Sequence, residues 1–162
     1  MNIKSAGLGQ TEQIVYILNE VTLDLHRKGI KQWTYPWTIR DIEKDVHNND
    51  VYVLWDGHRA IGTFTISVID HICGMAVEQN SKYLSRIAVL PDYQGKNAGS
   101  KIMEFARSSV DGTPFSLYLD CWAGNANLKQ FYSAHGMLYV GDYKEADYFV
   151  SIFKYNHGVG TL

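Results

Sequence analysis

The stretch of sequence that decides the fold runs from Tyr83 to Lys101 and reads YLSRIAVLPDYQGKNAGSK. It begins with the apolar and β-branched residues of a strand, which Pro91 ends, and passes through a short polar turn into an amphipathic helix. The backbone N–H groups at such a helix start lack intrahelical acceptors and lie at the positive end of the helix dipole. This layout favours binding of a phosphate or pyrophosphate at the turn.

Three residues of the turn permit the backbone to approach an anion closely. Gly95 and Gly99 have no side chain, and Asn97 is one of the few other residue types that tolerate a positive φ. Glycine is also common in ordinary turns between a strand and a helix, so spacing alone leaves a purely structural turn open. The nucleotide-binding patterns GxxxxGK[ST] and GxGxxG are both absent.

The residues before this stretch predict two helices and a hairpin. Apolar positions three and four apart predict a helix over Thr11–Lys28, which Gly29 ends. Thr38, followed three residues later by an acidic residue, resembles a capping box and predicts a short second helix. Asp56-Gly57 is a strong hairpin signal, and it joins the predicted strands Val51–Trp55 and Arg59–Ile69.

The rest of the chain completes an α/β (α+β) pattern. Asp70–Ser81 is polar and predicts an irregular segment. Further elements are predicted at Lys82–Leu90 (strand), Gly99–Val110 (helix), Phe115–Cys121 (strand), Asn125–Ala134 (helix), Met137–Tyr143 and Tyr148–Tyr155 (strands). This order predicts a mixed, mostly antiparallel sheet flanked by helices. No composition typical of a linker interrupts the chain, so we expect one domain over residues 1–162.

Composition restricts the classes of function. The chain has 15 Lys and Arg against 17 Asp and Glu, a formal charge of −2, and no basic block, which argues against nucleic-acid binding. Cys73 and Cys121 show neither a CxxC pairing nor a His at ligand spacing, so we expect neither a disulfide nor a metal site. We find neither a signal peptide nor a run approaching the ~20 apolar residues of a membrane span, and therefore expect a soluble, cytoplasmic protein.

Two segments carry a resemblance to a known family. The run from Arg86 to Gly99 resembles the acyl-CoA-binding motif of the GNAT superfamily of N-acyltransferases, whose turn reads [RQ]xxGx[GA]. Gln94 and the preceding V-x-P match, whereas Asn97 stands where the family usually has its first glycine. Residues 125–136, NANLKQFYSAHG, resemble the family's later motif through Asn125, Tyr132 and Gly136. The two motifs occur in the family's order and cover the second half of the chain.

The resemblance implies acetyl-CoA as co-substrate and no metal. It implies that the backbone of the strand before the turn bonds the pantetheine arm and the thioester carbonyl, here at Ile87, Ala88 and Val89. The pyrophosphate would lie on the turn and helix start, at Gln94, Gly95, Lys96, Asn97, Ala98, Gly99 and Ser100. Asn125 would contact the cofactor near the pantetheine arm, and capping of the following helix is its other role.

The resemblance also implies a general acid but leaves the base open. Tyr132 would protonate the leaving thiolate if its phenol stays neutral, although packing on an apolar helix face is the alternative. The strand before the turn offers no carboxylate for deprotonating the incoming ammonium. Asp120 is a weak candidate for that base, alongside Glu78, His71 and a chain of water molecules.

By the same resemblance the acceptor lies against the loop GIKQWTYPW, residues 29–37. Trp33, Tyr35 and Trp37 would wall its pocket, with Arg86 as a further contact, unless the aromatic residues only anchor the loop. The implied activity moves the acetyl group of acetyl-CoA to a primary amine of a small molecule or peptide by direct attack in a ternary complex. The alternative function is a non-catalytic acyl-CoA-binding sensor or interaction domain, and a third interpretation is a protein that binds ATP or NAD. The sequence also leaves open whether the protein forms a homodimer.

Overall fold

The computed structural model describes residues 1–30 and 32–156. The described residues form seven strands and four α-helices, and the six strands and four helices predicted above occur among them in the predicted order. In chain order these are β1 (Asn2–Ser5), α1 (Thr11–Arg27), α2 (Ile39–His47), β2 (Val51–Asp56), β3 (Arg59–Ile72), β4 (Met75–Val89), α3 (Ala98–Ser108), β5 (Leu117–Trp122), α4 (Ala126–Ala134), β6 (Leu138–Glu145) and β7 (Tyr148–Tyr155). Short 3₁₀ turns at Leu8–Gln10 and Pro91–Tyr93 precede α1 and follow β4.

The signals that begin and end the first two helices act as predicted. Gly29 follows α1 at φ +76, a conformation that glycine adopts without steric cost. The backbone N–H of Thr38 donates to Asp41 Oδ2 over 2.7 Å, which forms the reciprocal half of a capping box at the start of α2. The sequence therefore placed both helix boundaries to within a residue.

The strands form one sheet in the order β1-β2-β3-β4-β5-β7-β6. The pairs β1–β2, β2–β3, β5–β7 and β6–β7 are antiparallel, and β4–β5 is parallel. The parallel ladder comprises only two residue pairs, Lys82↔Leu117 and Tyr83↔Tyr118. The predicted fold class, a mixed and mostly antiparallel sheet with flanking helices, is confirmed.

The prediction of an irregular segment over Asp70–Ser81 is wrong. Strand β3 continues to Ile72 and β4 begins at Met75, so a two-residue turn joins two long strands. Cys73 and Gly74 both have positive φ, +50 and +78, as a tight hairpin turn requires. Exposed and half-buried residues alternate from Gly74 to Glu78, which is a strand pattern with one solvated face.

The chain comprises two compact units. The first contains Met1–Ile66 and Arg86–Ile102, and the second contains Ser67–Ser85 and the chain from Met103 onward. The core of the first includes Ile14, Ile17, Leu18, Ile42, Val46, Val53, Ala88 and Leu90, and a cluster in the second includes Ile72, Tyr118, Val150 and Ile152. Among residues 1–30 and 32–156, no helix combines the length and the apolar character that crossing a membrane requires.

Candidate functional site

The turn between β4 and α3, in the first unit, has the backbone of an anion site. Gly95 and Asn97 both take left-handed conformations, at φ +76 and +67, and Gln94–Asn97 is exposed. A Cβ built on Gly95 would meet no atom within 4 Å, so the space beside it is open. Helix α3 then starts at Ala98, where its first N–H groups face away from any intrahelical acceptor. The predicted left-handed conformation of Asn97 is thus confirmed, whereas pyrophosphate binding at the turn stays a prediction.

Side chains of the first unit brace this turn and place positive charge beside it. Gln94 Nε2 donates to the carbonyl of Val89 over 3.0 Å, which ties the turn to the end of β4. Lys96 Nζ lies 5.6 Å and Arg59 Cζ lies 5.2 Å from the centre of the Tyr93 ring. Sequence reasoning missed Arg59, because it stands on the β2–β3 hairpin and only the fold brings it to Tyr93.

Three of the four predicted acceptor residues come together in the first unit. The rings of Trp33 and Trp37 pack edge to face, with their centres 5.6 Å apart. The guanidinium carbon of Arg86 lies 5.3 Å from the centre of the Trp37 ring. Arg86 Nη1 also pairs with Asp45 Oδ2 over 2.8 Å. Tyr35 is 45% exposed, and a cis peptide bond joins it to Pro36.

Trp37 is also anchored as a packing residue. Its N–H donates to Asn19 Oδ1 over 2.7 Å, and its Nε1 donates to Thr22 Oγ1 over 3.0 Å. Both Trp33 and Trp37 pack partly against the core of the first unit. The packing role of these two rings is confirmed, whereas acceptor binding by any of the four residues stays a prediction.

The later motif forms α4 in the second unit. Asn125 Oδ1 accepts from the N–H of Leu128 over 3.1 Å, so its predicted capping role is confirmed. Tyr132 is 4% exposed, with ring contacts to Phe131 and Phe153 at 5.8 and 5.7 Å. Burial, followed by the charges of Cys121 and Asp120, raises the pKa of Tyr132 above its usual value. The phenol is therefore neutral at physiological pH, as a general acid requires.

Asp120 lies on β5 in the second unit, half-buried. Its Oδ1 accepts a hydrogen bond from the Tyr83 hydroxyl over 2.9 Å. Its carboxylate, the Cys73 thiol and the Glu145 carboxylate have atoms within 4.8 Å of one another. Burial and the charge of Glu145 raise the pKa of Asp120 against the opposing effect of the Tyr83 hydrogen bond. A carboxylate with raised proton affinity is a better base than an exposed one.

The other two side chains considered as the base have different surroundings. Burial alone would raise the pKa of Glu78, but hydrogen bonds from Lys154 and Tyr118 lower it to about 2. Glu78 is therefore ionised but a poor proton acceptor. His71 is exposed and its Nδ1 is 3.1 Å from Asp70 Oδ1. Whether one of these side chains, Asp120 or a chain of water molecules acts as the base stays a prediction.

Comparison with known proteins gives a consistent result. Three solved structures have similar folds. A GNAT-family acetyltransferase from Streptococcus agalactiae shares 16% identity, and the match covers 94% of this chain and 93% of that one with a TM-score of 0.81. A GNAT-family acetyltransferase from Listeria monocytogenes shares 19% identity (95% of this chain, 94% of that one, TM-score 0.74), and the ribosomal-protein-S18-alanine N-acetyltransferase of Escherichia coli shares 16% identity (99% of this chain, 97% of that one, TM-score 0.71). No curated protein sequence matches this chain. The family model for the acetyltransferase (GNAT) family matches residues 17–137, so the chain belongs to that family.

Proposed function

We propose that this protein is an N-acetyltransferase that moves the acetyl group of acetyl-CoA to a primary amine of a small molecule or peptide in a ternary complex. The observation that carries the proposal is the turn after β4, where left-handed Gly95 and Asn97 lead into the N-terminus of α3. An open turn with main-chain donors and nearby cations suits a pyrophosphate. Membership of an acetyltransferase family supplies the reaction class.

The first unit would hold the co-substrate. The backbone of Ile87, Ala88 and Val89 would bond the pantetheine arm, and Gln94–Ser100 would hold the pyrophosphate. Lys96 and Arg59 add positive potential, since both cations lie near the ring of Tyr93. Asn125 is proposed to contact the cofactor near the pantetheine arm, beyond its capping bond.

The second unit would carry the proton transfers. Asp120 takes a proton from the acceptor ammonium, and the neutral amine attacks the thioester carbonyl. The C–N bond forms, the C–S bond breaks, and Tyr132 protonates the departing sulfur. The proton shed by the new amide nitrogen restores the phenol. The products are the acetylated amine and the free thiol, and Asp120 releases its proton to solvent, so protons and electron pairs balance.

The acceptor would lie against the aromatic loop, where Trp33, Tyr35, Trp37 and Arg86 are the proposed contacts. The aromatic faces suit a cationic amine. The Escherichia coli relative acetylates an alanine of a ribosomal protein, by its name, so peptides with N-terminal alanine belong in a test panel beside amino acids and aliphatic diamines. The proposed enzyme is cytoplasmic, uses no metal and acts apart from nucleic acid and membranes. The charge balance and the lack of a basic block support the exclusion of nucleic acid.

Calorimetric titration of the purified protein with acetyl-CoA tests the first half of the proposal, with ATP and NAD as controls. We expect selective micromolar binding, about −8 kcal/mol. Preferred binding of ATP or NAD would contradict the cofactor assignment. Release of the CoA thiol in the presence of each panel amine then tests turnover.

The second candidate function is a non-catalytic acyl-CoA-binding sensor or interaction domain. The observation that favours it is the absence of a carboxylate from Ser85–Val89, the part of β4 next to the turn, since Glu78 lies farther back on that strand. Tight acetyl-CoA binding without thiol release for any panel amine would support this alternative and reject the enzyme.

A further inference from the structure

The hydrogen bond between Tyr83 and Asp120 joins two strands where their pairing ends. The parallel ladder of β4 with β5 comprises Lys82↔Leu117 and Tyr83↔Tyr118, and Asp120 stands two residues beyond the last paired residue of β5. Residues two apart on a strand share a face, so Asp120 lies on the face of Tyr118. The Tyr83 side chain crosses to it, and its hydroxyl donates to Asp120 Oδ1 over 2.9 Å.

Tyr83 is suited to act as a fixed donor. Its ring packs against the cluster that contains Ile72, Val150 and Ile152, which restricts its rotation. Burial, followed by the charge and hydrogen bond of Asp120, raises the pKa of Tyr83, so the hydroxyl keeps its proton at every physiological pH. Tyr83 therefore offers Asp120 a permanent hydrogen bond and does not compete for the proton.

The other groups around Asp120 are anionic or neutral at neutral pH. Across the residues described, the ion pairs do not include Asp120. The titratable groups that act on it or feel its charge are Cys73 from the β3–β4 turn, Tyr83 from β4, Cys121 from β5, Tyr132 from α4, Glu145 from β6 and Tyr148 from β7. Because no ion pair within residues 1–30 and 32–156 orients this carboxylate, we take the Tyr83 hydroxyl as the group that fixes its direction.

We propose that Tyr83 is a positioning residue, which holds Asp120 Oδ1 so that Oδ2 accepts the proton of the acceptor ammonium. This inference rests on the proposed role of Asp120 as the base. The same bond opposes the rise in the pKa of Asp120 that burial and the charge of Glu145 cause, because a hydrogen bond to a carboxylate favours its charged form. Tyr83 thus affects both the direction and the proton affinity of the base.

The test compares Tyr83→Phe with Tyr118→Phe. Tyr118 is a matched control, because it lies on the same face and donates to Glu78 Oε2 over 2.6 Å instead of to Asp120. The readouts are the pH profile of kcat/KM with the most active panel amine and a carbon-13 NMR titration of the Asp120 carboxyl group. We expect Tyr83→Phe to move the acidic limb of the kcat/KM profile and the midpoint of the NMR titration upward by about one pH unit, which is a tenfold increase in the proton affinity of Asp120. Tyr118→Phe should move neither.

A second substitution removes any dependence on the stability of Tyr83→Phe. Fluorinated tyrosine incorporated at position 83 is a stronger hydrogen-bond donor of nearly the same shape, so it should move both midpoints downward. Unchanged midpoints in the folded Tyr83 variants, or an equal shift in Tyr118→Phe, would overturn the inference.

Asp120→Asn separates this inference from the base assignment on which it rests. Loss of turnover in Asp120→Asn, with retained acetyl-CoA binding, supports Asp120 as the base. If Asp120→Asn is inactive and Tyr83→Phe keeps the wild-type pH profile, only the positioning role fails. Wild-type turnover in Asp120→Asn would refute both assignments.

Discussion

Replacing Tyr132 with Phe tests the proposed general acid with little change in packing. The substitution removes one hydroxyl and keeps the ring, which is 4% exposed and contacts Phe131 and Phe153. A positioned acid contributes about 100-fold or more, so we expect kcat to fall by that factor, equivalent to ~2.7 kcal/mol of activation free energy. The free energy of unfolding should change by about 1 kcal/mol or less, because the apolar contacts remain.

The matched control for this prediction is Tyr139→Phe. The Tyr139 ring also contacts Phe153, at 5.8 Å, but its hydroxyl donates to Asp142 and the residue is 53% exposed. We expect this variant to keep the wild-type kcat, and both variants to bind acetyl-CoA with unchanged affinity in calorimetry. Steady-state assays of CoA thiol release measure the kcat of both variants and of the wild type. A wild-type kcat in Tyr132→Phe, or an equal loss in Tyr139→Phe, would refute the reasoning.

Three further predictions concern the turn, an ion pair and acid stability. Asn97→Val should weaken acetyl-CoA binding about tenfold in calorimetry, because a β-branched residue, unlike Asn, is strained at φ +67 by roughly 1–2 kcal/mol. The control Asn49→Val, at φ +62 after α2, should lower only Tm. Asp45→Ala removes the partner of Arg86 and should alter KM for the amine while the Kd for acetyl-CoA stays constant. Glu78 has its pKa lowered from 4.5 to about 2, so its contribution to stability is present above pH 4.5 and lost as the pH falls toward 2; Glu78→Gln should flatten that fall in urea denaturation.

The parts of the site that depend on local chemistry could be predicted from the sequence. The left-handed conformation at Asn97 follows from the residue type and its place before a helix, and the cap at Asn125 follows from the same kind of local rule. Thr38 and Asp41 form the expected capping box. In each case the interacting atoms are at most three residues apart, so the pattern contains all the information that the geometry needs.

The parts that depend on contacts distant in sequence could not be predicted. Arg59 reaches Tyr93 across 34 positions only because the β2–β3 hairpin turns back toward the end of β4. Tyr83 and Asp120 are 37 residues apart, and the short parallel ladder decides that they meet. Asp70–Ser81 was predicted to be irregular because most of its residues are polar or small. In the structure this segment forms the ends of two hairpin strands, and the turn between them has Cys73 in a left-handed conformation.

The electrostatics of the second unit link the two proposed proton transfers. Burial is the largest cause of the raised pKa of Tyr132, followed by Cys121 and then by the charge of ionised Asp120. Protonation of Asp120 removes the last of these effects and leaves burial in place, so the pKa of Tyr132 falls but stays above its usual value. Within the proposed mechanism, the phenol therefore holds its proton both before and after the base acts, and it becomes a stronger acid once Asp120 is protonated.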